Sequence, residues 1–259
     1  MELGTILGYL IAWGSLIFGM WHITHGDVGG FMKPMEVLLV GGLALGATVA
    51  GMPFHATLGA FGSLKKMLFN KPAHVEKTIT EIVEYAETAR RDGVLALETV
   101  AKTAKDPFLK RGLQLTIDGT DPEVIERIMR VEIEAMIERH KHGKHFWHSL
   151  AKFGPGCGLI ACLVGQIAMF KNLNGDAATI GAALSVALVG TLYGALIQNV
   201  IAGPIAEKLG LFSKEEVFEK EIIMAGVLSI QAGNNPRVVE MQLLSFIAAS
   251  KQAGLMKAA

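Results

Sequence analysis

Four stretches of this chain contain no Asp, Glu, Lys or Arg: Leu3–Trp21, Val37–Leu64, Phe153–Phe170 and Ala177–Ala206, together 95 of 259 residues. Each reaches or approaches the roughly 20 residues that a helix needs to cross about 30 Å of hydrocarbon. Charged residues make up 19% of the chain and the mean hydropathy is +0.41, against about 25% charged in a soluble domain. This excludes an ordinary soluble enzyme. Four transmembrane helices with a helical cytoplasmic part are expected.

Lys+Arg and Asp+Glu are 24 each, so no basic surplus points to nucleic acid. Cys157 and Cys162 both lie in the third stretch, which excludes a disulfide framework and a Cys-based zinc site. His140, His142, His145 and His148 cluster before that stretch. No carboxylate or Cys completes a usual ligand set there, so no metal is expected. There is no phosphate-binding glycine loop and no nucleophilic triad. The chain is not expected to be an enzyme in the group-transfer sense. Met1-Glu2-Leu3 shows no basic leader, so the first apolar run reads as a retained helix.

The order of polar and apolar segments gives the organisation. Residues 1–64 hold transmembrane helices 1 and 2, the second at about Met35–Pro53, followed by an interfacial segment His55–Leu64. Residues 65–152 form a cytoplasmic helical domain, 153–206 hold transmembrane helices 3 and 4, and 207–259 form cytoplasmic C-terminal helices. Of the 24 Lys and Arg, 16 lie in the 65–152 segment and 6 in the tail. The positive-inside rule then puts both segments and both termini in the cytoplasm.

The polar segments read as helical, and no strand pattern occurs, so the fold class is all-α. His74–Arg91 carries apolar residues on one face, and Gly93 interrupts it before a helix resumes over Val94–Lys105. Asp121-Pro122-Glu123 is a helix start. It opens a helix that runs on towards the third span. Ser213 to Glu216 has capping-box spacing and marks a further start. Gly233-Asn234-Asn235-Pro236 ends that helix near Gln231 and opens another.

No span is expected to contain an ionisable residue. Ion pathways normally need one at membrane depth, so this chain alone is not a carboxylate-based ion carrier. Polar groups that could line a path include Thr48, Gln166, Thr191, Tyr193 and Gln198, although a span hydroxyl commonly bonds back to its own helix. Glycine pairs Gly4/Gly8, Gly42/Gly46 and Gly190/Gly194 allow close helix approach. Pro155 and Pro204 fall at the cytoplasmic ends of spans three and four, as helix punctuation or as hinges. Arg90, Arg91, Asp92 and Glu98 read as solvated surface charges or as a contact surface for a partner protein.

Several ordered motifs carry a family resemblance. They are Ala89-Arg90-Arg91-Asp92-Gly93 through Glu98, Asp106-Pro107-Phe108 to Asp118-Gly119-Thr120-Asp121-Pro122, and Gly154-Pro155 with its glycine-rich span. Thr191-Leu192-Tyr193-Gly194, Gly203-Pro204 to Leu209, and Ser229 to Pro236 complete the set. On a four-span pattern they resemble the MotA/PomA family, the A subunits of bacterial flagellar stators within the MotA/TolQ/ExbB group. The resemblance implies a homo-pentamer in the bacterial inner membrane around two copies of a single-span, MotB-like B subunit. That B subunit carries the ion-accepting Asp. Ion flow would turn the ring against a FliG-like rotor switch protein.

By the same matching, Arg90, Arg91 and Glu98 contact the rotor, and Thr191, Pro155, Pro204 and Cys162 belong to the ion path and its coupling. No cofactor is implied. Cys162 stands where many members carry a threonine, and Gly190-Thr191 where sodium-type members often carry a Thr-Thr pair, so two hydroxyls are missing and the implied ion is H+ rather than Na+. The alternatives are a related energiser of transport or gliding, and a self-contained small transporter.

Overall fold

The computed structural model of the chain describes residues 3–54, 56–60, 62, 75–249 and 252. Among these residues every regular element is helical: α1 (Leu3–Ile23), α2 (Pro34–Ala50), α3 (Val75–Asp92), α4 (Leu97–Ala101), α5 (Pro107–Ile117), α6 (Pro122–Lys171), α7 (Ala177–Leu196), α8 (Gly203–Gln231) and α9 (Pro236–Leu244). A π-helical segment, Ile197–Ala202, joins α7 to α8. Four helical stretches among the described residues are long and apolar enough to cross a membrane. The chain divides into two compact units, Met1–Lys71 with His140–Leu211, and Pro72–Arg139 with Phe212–Ala259. Residues 56–60 and 62 of the interfacial segment expected at His55–Leu64 are helical, and the basic residues Lys65, Lys66 and Lys71 after it lie outside the described residues.

The first unit is held by α6 and α7, whose backbones meet along a seam of small residues. A methyl group placed on Gly194 would lie 2.6 Å from the Gly154 carbonyl oxygen, and one on Gly165 would lie 2.6 Å from the Ala187 nitrogen. Gly158 faces the Gly190 carbonyl, and Gly190 faces Ala161. Of the three glycine pairs expected to pack, Gly190/Gly194 does so within the chain. A methyl on Gly4, Gly8, Gly42 or Gly46 would meet nothing within 4 Å. Helix α2 buries Glu36, Val40, Ala44 and Thr48, one residue per turn, and packs on α7. It ends at Ala50 rather than near Pro53, because Pro53 disfavours helical geometry in the residue before it. No residue of α1 is buried within the chain.

Neither proline ends its helix. Pro155 lies inside the unbroken 50-residue α6. Pro204 follows the π segment as the second residue of α8. There the Gly203 amide donates five residues back to the Gln198 carbonyl, and Pro204 falls in a first turn where a missing N–H is tolerated. Ser213 starts no helix either. Helix α8 runs through it, since capping spacing without a chain break is a weak preference that continuous packing overrides.

The second unit closes around an apolar core. Ile79 and Ile82 of α3, Leu97 of α4, Leu109 and Leu113 of α5, Ile125 and Met129 of α6, Ile223 and Val227 of α8 and Leu243 of α9 all meet in it. Each such side chain contributes roughly 1.5–3 kcal/mol on burial. Asp106 caps α5, accepting from the Phe108 amide at 2.8 Å and the Leu109 amide at 3.2 Å. It also takes the Lys220 ammonium in an ion pair whose side chains are 30% and 12% exposed. Lys220 stands 5.5 Å over the Phe108 ring. Helix α3 stops at Asp92, where Gly93 takes φ +85°. The resumed helix is shorter than Val94–Lys105: a 3-10 turn leads into Leu97–Ala101.

Gly194→Ala drives a methyl into backbone that cannot swing away. We expect it to destabilise the detergent-solubilised protein by about 1–3 kcal/mol, read as a fall in thermal midpoint. Gly156→Ala, whose added methyl meets nothing within 4 Å, serves as the reference. Asp106→Ala removes the α5 cap and leaves Lys220 unpaired. Amide exchange across Pro107–Ile117 should accelerate about 30-fold, the equivalent of about 2 kcal/mol. Unchanged exchange would mean that the pair does not hold α5.

Candidate functional site

The glycine seam determines which flank of the membrane pair is polar. On α6 the seam runs through Gly154, Gly158, Ala161 and Gly165. Pro155, Cys162 and Gln166 each follow a seam residue by one, about 100° around the helix. On α7, Thr191 follows Gly190 by one, and in the π segment Gln198 follows by one Ile197, which lies against Gly154. The two helices run antiparallel, since Gly154 meets Gly194 while Gly165 meets Ala183 and Ala187. In an antiparallel pair, equal rotations away from the contact face point to the same side. The structure therefore brings Pro155, Cys162, Gln166, Thr191 and Gln198 onto one flank. Pro155 and Cys162 are half-buried, and Gln166, Thr191 and Gln198 are exposed.

Thr191 donates its hydroxyl to the Ala187 carbonyl at 3.0 Å, which leaves its oxygen lone pairs facing outwards as acceptors. Pro155 lacks an N–H and so withdraws the donor that the Ala151 carbonyl would otherwise receive. The flank thus offers hydroxyl, amide and thiol groups and no carboxylate. Pro204 lies beyond the π segment, exposed. Among the described residues, no three His, Cys, Asp or Glu gather as a metal would require.

The other predicted residues are in the second unit, on either side of Gly93. Arg90 is exposed, and its guanidinium donates to the Gly233 carbonyl at 3.3 Å. It thereby reaches the chain just beyond the C-terminus of α8, where a cation is favoured. Arg91 pairs with Asp92 at 2.9 Å. The hydrogen bond from Arg91 holds the Asp92 carboxyl below the usual carboxylate range, and the same bond raises Arg91. Glu98 pairs with Lys102 at 3.0 Å. Because the helix breaks at Gly93, Arg90 and Glu98 do not keep the relative phase of a single helix, and no bond joins them. Nearby, burial pushes the Tyr85 hydroxyl well up, helped by its hydrogen bond to Glu81.

The sequence reading missed Glu36. It lies within α2 and is 6% exposed, so a span does contain a carboxyl group. The signal was Pro34 at the helix start with an acid two residues on, where the N-terminal dipole favours it. Tyr193 was also under-read. Its hydroxyl donates to the Phe31 carbonyl and accepts from the Lys33 amide at 3.1 Å, pinning the α1–α2 connection to α7.

Residues 6–93 match the family model described as Motility protein A N-terminal, and residues 100–222 match the MotA/TolQ/ExbB proton channel family. Motility protein A of Borreliella burgdorferi is 34% identical over 254 residues, covering 95% of this chain and 94% of its own. Chemotaxis protein PomA of Vibrio alginolyticus is 34% identical over 253 residues, covering 98% of each chain. A chain of the flagellar MotAB stator complex from Bacillus subtilis superposes with a TM-score of 0.89 at 30% identity, covering 97% of this chain and 98% of its own. These matches extend over nearly the whole length of the chain. The chain belongs to the MotA/PomA family of flagellar motor stator A subunits.

Proposed function

We propose that this chain forms a ring of five around two copies of a single-span, MotB-like B subunit in the bacterial inner membrane. Protons are the driving ion, and both termini face the cytoplasm. The observation that carries the reading is the shared flank of Pro155, Cys162, Gln166, Thr191 and Gln198. It lines a polar surface yet lacks the ionisable acceptor that a proton path requires, so a second chain must bring one. The MotAB complexes from Bacillus subtilis and C. jejuni are A–B assemblies by description, which supports a B partner here. With Cys162 and Gly190 in the flank and seam, few hydroxyls remain to coordinate Na+, which favours H+.

Protonation and release at the B-subunit Asp would advance the ring past successive Thr191 flanks. Arg90, Arg91 and Glu98 would then push a FliG-like rotor protein. Arg91 and Glu98 have local counter-charges in Asp92 and Lys102. These exposed pairs are screened by water, so a rotor surface can exchange with them at low cost. Descriptions of relatives as motility proteins disfavour the readings as a transport energiser or a self-contained transporter.

The test is the native mass of the detergent-purified complex, with this chain alone and with its single-span partner. Five copies that gain two partner chains support the reading. A monomer or an even-numbered oligomer under both conditions overturns it. The local prediction concerns Thr191→Val, which removes one acceptor of about 1 kcal/mol at the flank. Proton uptake by vesicles holding both chains should fall about fivefold to tenfold, while the native mass stays the same. Unchanged uptake would confine Thr191 to its helix bond.

A further inference from the structure

The polar flank of the membrane pair continues past Pro155. On α6, Cys162, Pro155 and His148 recur every seven residues. Seven residues are nearly two full turns, so His148 lies within about 20° of Pro155 around the helix and about 10 Å further along it. It follows the buried Trp147 by one, as Pro155 follows the seam residue Gly154, and its side chain is exposed. His145 points elsewhere. Nine residues before Gly154, it falls on the opposite side of α6 from the seam, and its Nε2 lies 3.5 Å from the Ser149 hydroxyl.

Helix α8 extends the flank from its own side. Ala206 and Gly210 are buried one turn apart, and the Lys144 side chain lies over Gly210. Glu207 follows Ala206 by one, as Thr191 follows Gly190, and it is exposed. Ile197 meets Gly154 and Gly210 meets Lys144, so the antiparallel course of the pair carries through to this end. Counting inwards from those two contacts puts Glu207 within about one turn of His148 along the axis. Side chains lean towards the N-terminus of their own helix, and between antiparallel helices these two leans converge. Among the described residues, neither side chain has a hydrogen bond or an ion pair. Lys144 and Lys152 of α6 and Lys208 of α8 are the neighbouring cations. The described part of the 56–60 segment, whose Ala60 carbonyl accepts from the Trp147 indole, brings no titratable group.

We infer that His148, faced by Glu207, is the proton acceptor at the cytoplasmic mouth of the path. A proton leaving the B-subunit carboxyl passes along the flank by water and binds the unprotonated ring nitrogen of a neutral His148. The imidazolium then gives one proton to cytoplasmic water and the ring returns to its neutral form. Imidazole suits the task because its charge changes near neutral pH. With three ammonium groups around it, the imidazolium would form only at a cost, and the Glu207 carboxylate offsets that repulsion. The same cations favour release once the proton has arrived. The inference rests on the proton-driven reading above and adds where the proton leaves this chain.

The test is proton uptake by vesicles holding the full chain and its B partner, with and without free imidazole on both faces. His148→Ala should lower uptake at least about tenfold while the native mass stays the same. Free imidazole should restore most of that loss and leave the wild type unchanged, which a structural role would not allow. Glu207→Gln should lower uptake about threefold, and His145→Ala should leave it as it was. Unchanged uptake in His148→Ala, a loss that imidazole does not restore, or an equal loss in His145→Ala overturns the assignment. Unchanged uptake in Glu207→Gln overturns the pairing. Where His148→Ala loses the native mass, His148→Gln takes its place, and loss of mass in both makes His148 an assembly residue and overturns its role as acceptor. A wild-type complex that takes up Na+ and not protons, or takes up neither, would instead overturn the reading beneath it.

Discussion

The contact on which the membrane unit depends is backbone against backbone. Along α6 and α7 the carbonyls of Gly154 and Gly190 sit where side chains normally keep helices apart. In lipid, helices gain little from hiding apolar surface, so close van der Waals packing must supply the attraction. The seam also fixes rotation. Once Gly154 faces Gly194 and Gly165 faces Ala187, the residues one step further on have a single place to go, and Thr191 and Pro155 share a flank as a result. Gly154 is required here because a methyl would lie 2.9 Å from the Gly194 carbonyl oxygen.

The second unit uses opposite means. Apolar side chains from six helices interlock around Ile82, Leu109, Leu113 and Val227. Polar pins set the ends of the elements: Asp106 with Lys220, Asp121 at the start of α6, and Asn235 at the start of α9. Such pins are local and cheap, and they leave the outer faces free to carry charge. The candidate rotor residues flank a helix break, Arg90 and Arg91 in the last turn of α3 and Glu98 in α4. Their spacing is set by the φ of Gly93 and not by helical periodicity.

Much of this was legible in the residues. The four spans follow from the exclusion of charge from hydrocarbon, a strong and continuous signal. The starts at Pro122 and Pro236 follow from caps that use adjacent residues. What escaped depends on distant parts of the chain. Gly4/Gly8 and Gly190/Gly194 look alike in sequence, and which pair packs depends on the helix lying opposite. Pro155 looked like an end because the loss of one hydrogen bond is visible locally, whereas the packing that carries α6 through it is not. Glu36 fell one residue outside a charge-free run, although its helix begins at Pro34. The site residues themselves came from ordered family motifs. Spacing alone would have left Arg90 and Glu98 as ordinary surface charges.

The bond from Arg90 to the Gly233 carbonyl changes what kind of charge Arg90 is. A free arginine on an open surface samples many rotamers, and freezing it against a partner costs up to about 2 kcal/mol. Here one donor of the guanidinium is already spent on a fixed backbone oxygen just past the end of α8. Part of that ordering has been done by folding, and the remaining donors project from a located point. For a contact that must form and break repeatedly, a cation already held in place can engage quickly and let go without having to be searched for again.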